Sequence, residues 1–165
     1  MDITIRAARL SDVATLLELY KALDVGSDPE LSMASAQQKF ENLTARPEHR
    51  IYVAQEGERI VGTFALIFLG GLAHGALPSC VVEDVVVVDG LRGRGIGKLM
   101  MRCAMQACAD EKCYKLVLSS HVQREQAHRY YEGLGFRRHG YSFLIDPVSD
   151  PLRREPRARG AAGSA

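Results

Sequence analysis

Ile3 and Ile5 alternate with Thr4 and Arg6, a period of two that predicts a strand at a sheet edge. From Val13 the period lengthens. Val13, Leu16, Leu17 and Tyr20 recur at i, i+3, i+4 and i+7, the apolar face of an amphipathic helix that Ser11 or Asp12 is placed to cap. Gly26, Ser27 and Pro29 mark a turn-rich break over Asp24 to Glu30. A second helix is predicted over Met33 to Ala45, ending before Pro47 because the residue ahead of a proline is pushed out of helical geometry.

Strand patterning then returns. Arg50 to Gln55 and Arg59 to Leu69 read as two strands joined at Glu56-Gly57-Glu58, a hairpin turn. Gly70 to Ser79 is a glycine-rich loop holding His74 and Pro78. Cys80 to Val88 is the most apolar strand, with Glu83 and Asp84 set inside it. A turn over Leu91 to Gly97 opens a helix to about Lys112, with Ile96, Leu99, Met100, Cys103, Ala104, Ala107 and Cys108 as its apolar stripe. Tyr114 to Ser120 follows as a strand, Gln123 to Leu134 as a helix stopped by Gly135, and Phe136 to Ile145 as a last strand. The predicted architecture is α/β (α+β), a mixed central sheet flanked by helices. The strand at Cys80 and the strand at Tyr114 should lie parallel, joined by a right-handed helical crossover. One domain is expected over residues 1–146, with a disordered basic tail over 147–165 rich in Pro, Arg, Gly, Ala and Ser.

Composition narrows the function classes. The formal net charge is +1, and Arg153, Arg154, Arg157 and Arg159 against Glu155 put +3 in the last fifteen residues, leaving −2 for the other 150. A body so near neutral gives no footprint for nucleic acid. No apolar run approaches a membrane span, and no signal segment opens the chain. Cys80, Cys103, Cys108 and Cys113 form no C-x-x-C pair and no zinc spacing, so buried reduced thiols in a cytoplasmic protein are the expectation, without a metal.

The strongest chemical signal is Arg92-Gly93-Arg94-Gly95-Ile96-Gly97, directly after a buried strand and directly before a helix. A helix N-terminus offers unpaired N–H groups and about half a positive charge, and glycines let a ligand approach the backbone. With Lys98 this makes a pyrophosphate site. A nucleotide-triphosphate loop fails here, because Arg92 stands where its first glycine belongs and Leu99 where its Ser or Thr belongs. A dinucleotide fingerprint fits poorly, because the spacing is G-x-G-x-G after the fourth strand. Arg92, Gly95 and Gly97 do match [QR]-x-x-G-x-[GA], the coenzyme A loop of N-acetyltransferases.

Two further blocks support that match: Ile5-Arg6-Ala7-Ala8 with Ser11-Asp12, and Ala127-His128-Arg129-Tyr130-Tyr131-Glu132-Gly133-Leu134-Gly135-Phe136, which fits A-x-x-[FY]-Y-E-x-x-G-F. On these residues the chain resembles the GNAT superfamily of N-acetyltransferases up to about Asp146. The resemblance implies acetyl-CoA as cosubstrate. It implies that backbone groups of Val86 and Val88 pair with the pantetheine arm, and that amides from Arg94 to Lys98 in the Arg92-Gly93-Arg94-Gly95-Ile96-Gly97-Lys98 segment hold the pyrophosphate. The family's usual Asn, three residues before Ala127, is Arg124 here.

The attacking amine must lose a proton, and Glu83 is the candidate base, because apolar neighbours would raise its pKa toward a useful value. It resembles the Glu of glucosamine-phosphate N-acetyltransferases, whose strand also reads Glu-Asp. A solvent-facing carboxylate remains the alternative. Asp84 is expected on the opposite face of the strand. Tyr131 matches the family's acid tyrosine, which would protonate the departing thiolate. Its place on the stripe Ala127, Tyr130, Tyr131, Leu134 also fits plain core packing, with Tyr130 expected as the buried partner. His74, His121 and His128 read first as loop or surface histidines. Leu116-Val117-Leu118-Ser119-Ser120, Arg124, Ala127-His128-Arg129 and Tyr141-Ser142-Phe143 also resemble aminoalkylphosphonate N-acetyltransferases. That favours a small-molecule amine carrying an anionic group, with Arg124 or Arg50 as its partner. A protein or peptide N-acetyltransferase and a non-catalytic acyl-CoA-binding module are the rival readings. A homodimer is left open.

Overall fold

The computed structural model describes residues 2–23 and 31–144. The break at Asp24 to Glu30, Ile145 and the tail from residue 147 fall outside the described residues. The elements are β1 (Ile3–Ala7), α1 (Val13–Tyr20), α2 (Met33–Thr44), β2 (His49–Glu56), β3 (Arg59–Leu69), β4 (Ser79–Val87), α3 (Ile96–Asp110), β5 (Lys115–Leu118) and α4 (Glu125–Gly133). The strands form one sheet in the order β1-β2-β3-β4-β5. The first three pairings are antiparallel and β4–β5 is parallel, so the sheet is mixed and the helix between β4 and β5 is a crossover.

Both faces of the sheet are covered. Phe64, Leu66, Cys80 and Val82 pack against Ile96, Met100, Met101 and Ala104 of α3, with Tyr131, Leu134 and Phe136 at the margin. On the other face Ile51, Val53, Ala65 and Val86 meet Val13, Leu16 and Leu19 of α1 and Ala36 and Phe40 of α2. Met101 is buried in the α3 stripe where Leu99 was expected, and Leu99 is 37% exposed. Truncating Met100, which is fully buried, would cost about 2–5 kcal/mol through lost transfer energy and a residual cavity. The Ser32 hydroxyl caps α2 by accepting from the Ser35 N–H at 3.2 Å.

Asp12 does not cap α1 with its side chain. Its carboxylate turns back instead, accepting from the Arg9 N–H at 2.7 Å and from both Arg6 guanidinium ends at 2.7 and 3.1 Å. The Arg6 bond, against the cost of burial, holds the Asp12 carboxyl below its ordinary range. This pair ties β1 to the start of α1.

The expected strand over Phe136 to Ile145 is not formed over its described part. Residues 136–144 carry no strand assignment. Gly140 interrupts the segment with φ 86°, and Tyr141, Phe143 and Leu144 are 92, 92 and 97% exposed. Alternating apolar residues make a strand only where a neighbouring strand accepts them, and the β5 pairing described is with β4.

Candidate active site

The parallel pairing of β4 and β5 runs from Ser79 opposite Lys115 to Val82 opposite Leu118. There β5 ends, while β4 continues to Val87. The cause of the parting lies in β4. Glu83 is opposite Ala65 and Val86 opposite Thr63, so Asp84 and Val85 together face Phe64. This is a β-bulge, which bends and twists its strand away from a neighbour. Asp84 has φ 54°, a left-handed backbone that costs a non-glycine residue about 1–3 kcal/mol.

The bulge corrects the expectation that Glu83 and Asp84 lie on opposite faces. Glu83 shares the face of Ala65, which packs on the α1–α2 layer. Asp84 acts electrostatically on Glu83, on Tyr20 at the end of α1 and on His49 at the start of β2. Val82 and Val85, on either side of the pair, both face α3. Glu83 and Asp84 are both exposed, as the solvent-facing alternative has it, yet partial desolvation, and then the Asp84 charge, push the Glu83 carboxyl above its ordinary range. Partial desolvation also raises Asp84, partly offset by His49. Two carboxyls that each disfavour the charged form, side by side at a fork, can hold or accept a proton. Burial, followed by the Asp84 charge, takes the Tyr20 phenol to about 12.

Beyond the bulge, the backbone alternates between the two edges of β4. The Val88 N–H donates to the Val61 carbonyl at 3.0 Å, and the Val88 carbonyl accepts from the Leu91 N–H at 3.1 Å. The Val86 carbonyl lies 2.8 Å from the point a Cβ on Gly62 would occupy, so it too faces β3. Val86 and Val88 therefore have their backbone groups turned away from the fork. The groups aimed into it belong to Val85 and Val87, one residue out of step with the expectation.

At the open end of the fork stands the glycine turn. Gly93 and Gly95 have φ 81° and 83°, and a Cβ on either would meet nothing within 4 Å, so this backbone faces open space. Gly95 immediately precedes α3, whose ladder begins with the Leu99 N–H donating to the Gly95 carbonyl at 3.1 Å. The Ile96, Gly97 and Lys98 amides precede that first bond and have no acceptor within the helix. Arg92 pairs with Asp89 at 2.9 Å and Arg94 with Glu56 at 3.2 Å. The loop's attraction for an anion thus rests on its amides, the α3 dipole and Lys98 more than on these two guanidinium groups.

Tyr131 lies against the α3 side of the core, edge-on to Phe136 and Tyr130 with ring centroids 5.8 and 5.1 Å away. Burial raises its phenol pKa, and the charge of Arg124 works against that rise. Arg124 therefore favours release of the Tyr131 proton. Tyr130 is not the buried partner. It is 38% exposed, and its hydroxyl reaches the first turn of α3 at Gly97. Arg50 is committed elsewhere, to Glu111, the Pro47 carbonyl and the face of Phe68. The three histidines singled out from the sequence have local partners. His74 stacks on Tyr114 at 4.1 Å, and His128 Nε2 meets the His121 carbonyl at 3.0 Å. Tyr20 and His49 were not singled out from the sequence. Tyr20 is hidden in a helical stripe, and His49 is one residue outside the predicted strand.

Comparison with known proteins agrees with this geometry. The family model described as the acetyltransferase (GNAT) family matches residues 13–136. A glucosamine 6-phosphate N-acetyltransferase of Trypanosoma brucei brucei is 28% identical over 149 residues, covering 88% of this chain and 97% of its own. A solved acetyltransferase structure from Agrobacterium tumefaciens str. C58 superposes with a TM-score of 0.81 at 35% identity, covering 87% of this chain and 99% of that one. The crystal structure of an Arabidopsis thaliana glucosamine-6-phosphate N-acetyltransferase shares the fold, with a TM-score of 0.78 at 23% identity over 88% of this chain and 99% of that one. A forked sheet with a glycine turn at its mouth, and a family match over most of its length, make this chain a member of the GNAT family of acetyl-CoA-dependent N-acetyltransferases.

Proposed function

We propose that the protein transfers the acetyl group of acetyl-CoA to the primary amine of a small molecule, by direct attack while both substrates are bound. The observation that carries this reading is the fork, with Glu83 and the Asp84–Val85 bulge at its apex and the glycine turn at its mouth. Backbone groups of Val85 and Val87 pair with the pantetheine arm as an added strand would. Amides from Arg94 through Gly95, Ile96, Gly97 and Lys98 hold the pyrophosphate. Glu83, with its raised pKa, takes the ammonium proton, directly or through a water, so that the amine attacks as the free base. The amine nitrogen bonds to the acetyl carbon, the carbon–sulfur bond breaks, Tyr131 gives its proton to the departing sulfur, and the nitrogen releases its surplus proton to solvent as the amide forms. Arg124 assists by favouring the phenolate left behind.

The relatives support a reading of the acceptor class. Glucosamine 6-phosphate N-acetyltransferases act on an amine that also carries a phosphate, and a small amine with an anionic group is the acceptor proposed here. Among the described residues no helix is long and apolar enough to cross a membrane. A cytoplasmic setting fits the four free cysteines. The exposed rings of Tyr141 and Phe143 offer a face on which a second copy would pack in a homodimer.

A screen of amino sugar phosphates, aminophosphonates, neutral amines and peptides for CoA-thiol release tests the reading. Turnover is expected with the small anionic amines. Release with peptides alone would overturn the small-molecule acceptor, and release with none would overturn the catalytic reading.

A further inference from the structure

The turn that ends α3 is closed by two cysteines. The Lys112 N–H donates to the Ala109 carbonyl at 3.0 Å and the Cys113 N–H to the Cys108 carbonyl at 2.9 Å, around Lys112 at φ 56°. This is the Schellman pattern, which sets a side chain of the last helical turn against the one just past the helix, ordinarily as an apolar contact. Here that contact is between two thiols. The Cys108 side chain interacts with those of Cys113 and of Cys80 in β4. Thiols from three elements thus meet where Ser79 is opposite Lys115, at the end of the β4–β5 pair away from the fork. Cys103, five residues before Cys108, stands on another side of α3. Access separates the three. Cys80 is 0% and Cys108 7% exposed, while Cys113 is half-buried between the exposed Lys112 and Tyr114.

We propose that Cys113 and Cys108 form a reversible disulfide when the protein meets a peroxide, a modification site that latches the end of α3 to the start of β5. Cys113 is the thiol that an oxidant reaches. Peroxide converts it to a sulfenic acid and is itself reduced to water. The Cys108 sulfur then attacks the Cys113 sulfur. The S–S bond forms, the S–O bond breaks, and the hydroxyl leaves with the Cys108 proton as a second water. Burial raises the Cys108 and Cys80 thiols, so neither competes for the oxidant, and Cys108 serves as the resolving partner already in place. A disulfide needs Cα atoms about 4.4–6.8 Å apart, a span within reach of two residues whose backbones share a hydrogen bond. The latch spares Cys113 the irreversible sulfinic and sulfonic acids.

The test treats the native protein with hydrogen peroxide, blocks the remaining thiols in denaturant, and maps tryptic peptides by mass spectrometry. Cleavage after Lys112 parts the two cysteines, so the disulfide appears as peptide 103–112 joined to peptide 113–115. Free thiols are expected to fall from four to two per chain, one disulfide removing two, and to return to four with dithiothreitol. Cys103 shares the first peptide, so the joined pair should persist in Cys103→Ser and vanish in Cys108→Ser. At the dose that leaves the wild type with the disulfide, Cys113 in Cys108→Ser should run on to the sulfinic and sulfonic acids. Cys113→Ser changes the half-buried partner instead, so the proposal does not hang on whether the Cys108 variant folds; it should keep its remaining thiols reduced. A wild-type protein whose Cys113 overoxidises without any joined pair would overturn the proposal. So would a link that survives Cys108→Ser, a link from Cys113 to Cys80 or to a second chain, or a link that forms only when oxidation is carried out in denaturant.

Discussion

The Tyr130 hydroxyl oxygen lies 2.6 Å from the point that a Cβ on Gly97 would occupy. Gly97 is in the first turn of α3, and its φ is outside the left-handed region, so alanine would suit the backbone. Space, not conformation, demands glycine here. Gly97→Ala should therefore lose stability, by about 1–3 kcal/mol of overpacking, although alanine is the better helix former by about 1 kcal/mol. Removing the hydroxyl with Tyr130→Phe leaves the ring carbon at 3.2 Å as the nearest atom, so the double variant should recover much of the loss. Strict additivity of the two changes in a denaturation cycle would show that the contact does not exist in solution.

Glu83→Gln should slow turnover most at low pH. The base must be ionised to act, and its pKa is raised, so the acid limb of the wild-type profile should fall above the ordinary glutamate value of about 4.3. At higher pH more of the amine is free without help, and the variant should close part of the gap. The same raised pKa means that the charged form is disfavoured in the folded protein, so the variant should be no less stable than wild type at neutral pH. A variant whose profile merely scales down at every pH would take the proton-accepting role away from Glu83.

Tyr131→Phe deletes one hydroxyl from a ring that is largely packed. Acetyl-CoA affinity should hardly change, while the turnover number should drop about ten- to a thousandfold if the phenol acts on the leaving sulfur in the transition state. Full turnover in the folded variant, on an acceptor for which chemistry limits the rate, would return Tyr131 to core packing beside Phe136.

Asp12→Asn tests the fold away from the site. Its carboxylate is held below the ordinary range by Arg6 and the Arg9 N–H, so it stabilises the folded state at pH values above the unfolded pKa of about 3.9. That contribution is lost as pH falls through the lower, folded-state pKa. The variant should cost about 1.5–3 kcal/mol at pH 7, the range for hydrogen bonds to charged groups, and the gap to wild type should close in strong acid. A gap that stays constant down to that pH would mean that charge is not what holds β1 to α1.

Much of the architecture is legible in the residues, because the periods are clean. The apolar run from Cys80 and the stripe from Ile96 leave little choice about β4 and α3. The glycine turn is legible as well, because close approach to a backbone needs glycine. What escapes is whatever depends on register. The bulge at Asp84 shifts the open backbone from Val86 and Val88 to Val85 and Val87, and only the opposing strand reveals it. The Tyr130–Tyr131 pair has the same difficulty, since adjacent residues on a helix exchange core and surface with a small rotation. Tyr141-Ser142-Phe143 alternates as a strand does, yet a strand needs a neighbour that local pattern cannot name.

The claim on which the rest depends is that the fork and its glycine turn bind acetyl-CoA. Calorimetric titration of the wild-type protein and of Gly95→Asp with acetyl-CoA, in parallel with their melting curves, tests it most directly. Gly95 has φ 83° and faces open space, so the substitution strains the turn and puts a carboxylate where the pyrophosphate would lie. The wild type should bind, and ligand at a hundred times its dissociation constant should add roughly 2.7 kcal/mol of stability. Gly95→Asp should stay folded and show no binding. A wild-type protein with no heat of binding and an unmoved melting curve in millimolar acetyl-CoA, or a folded Gly95→Asp protein with wild-type affinity, would contradict the assignment.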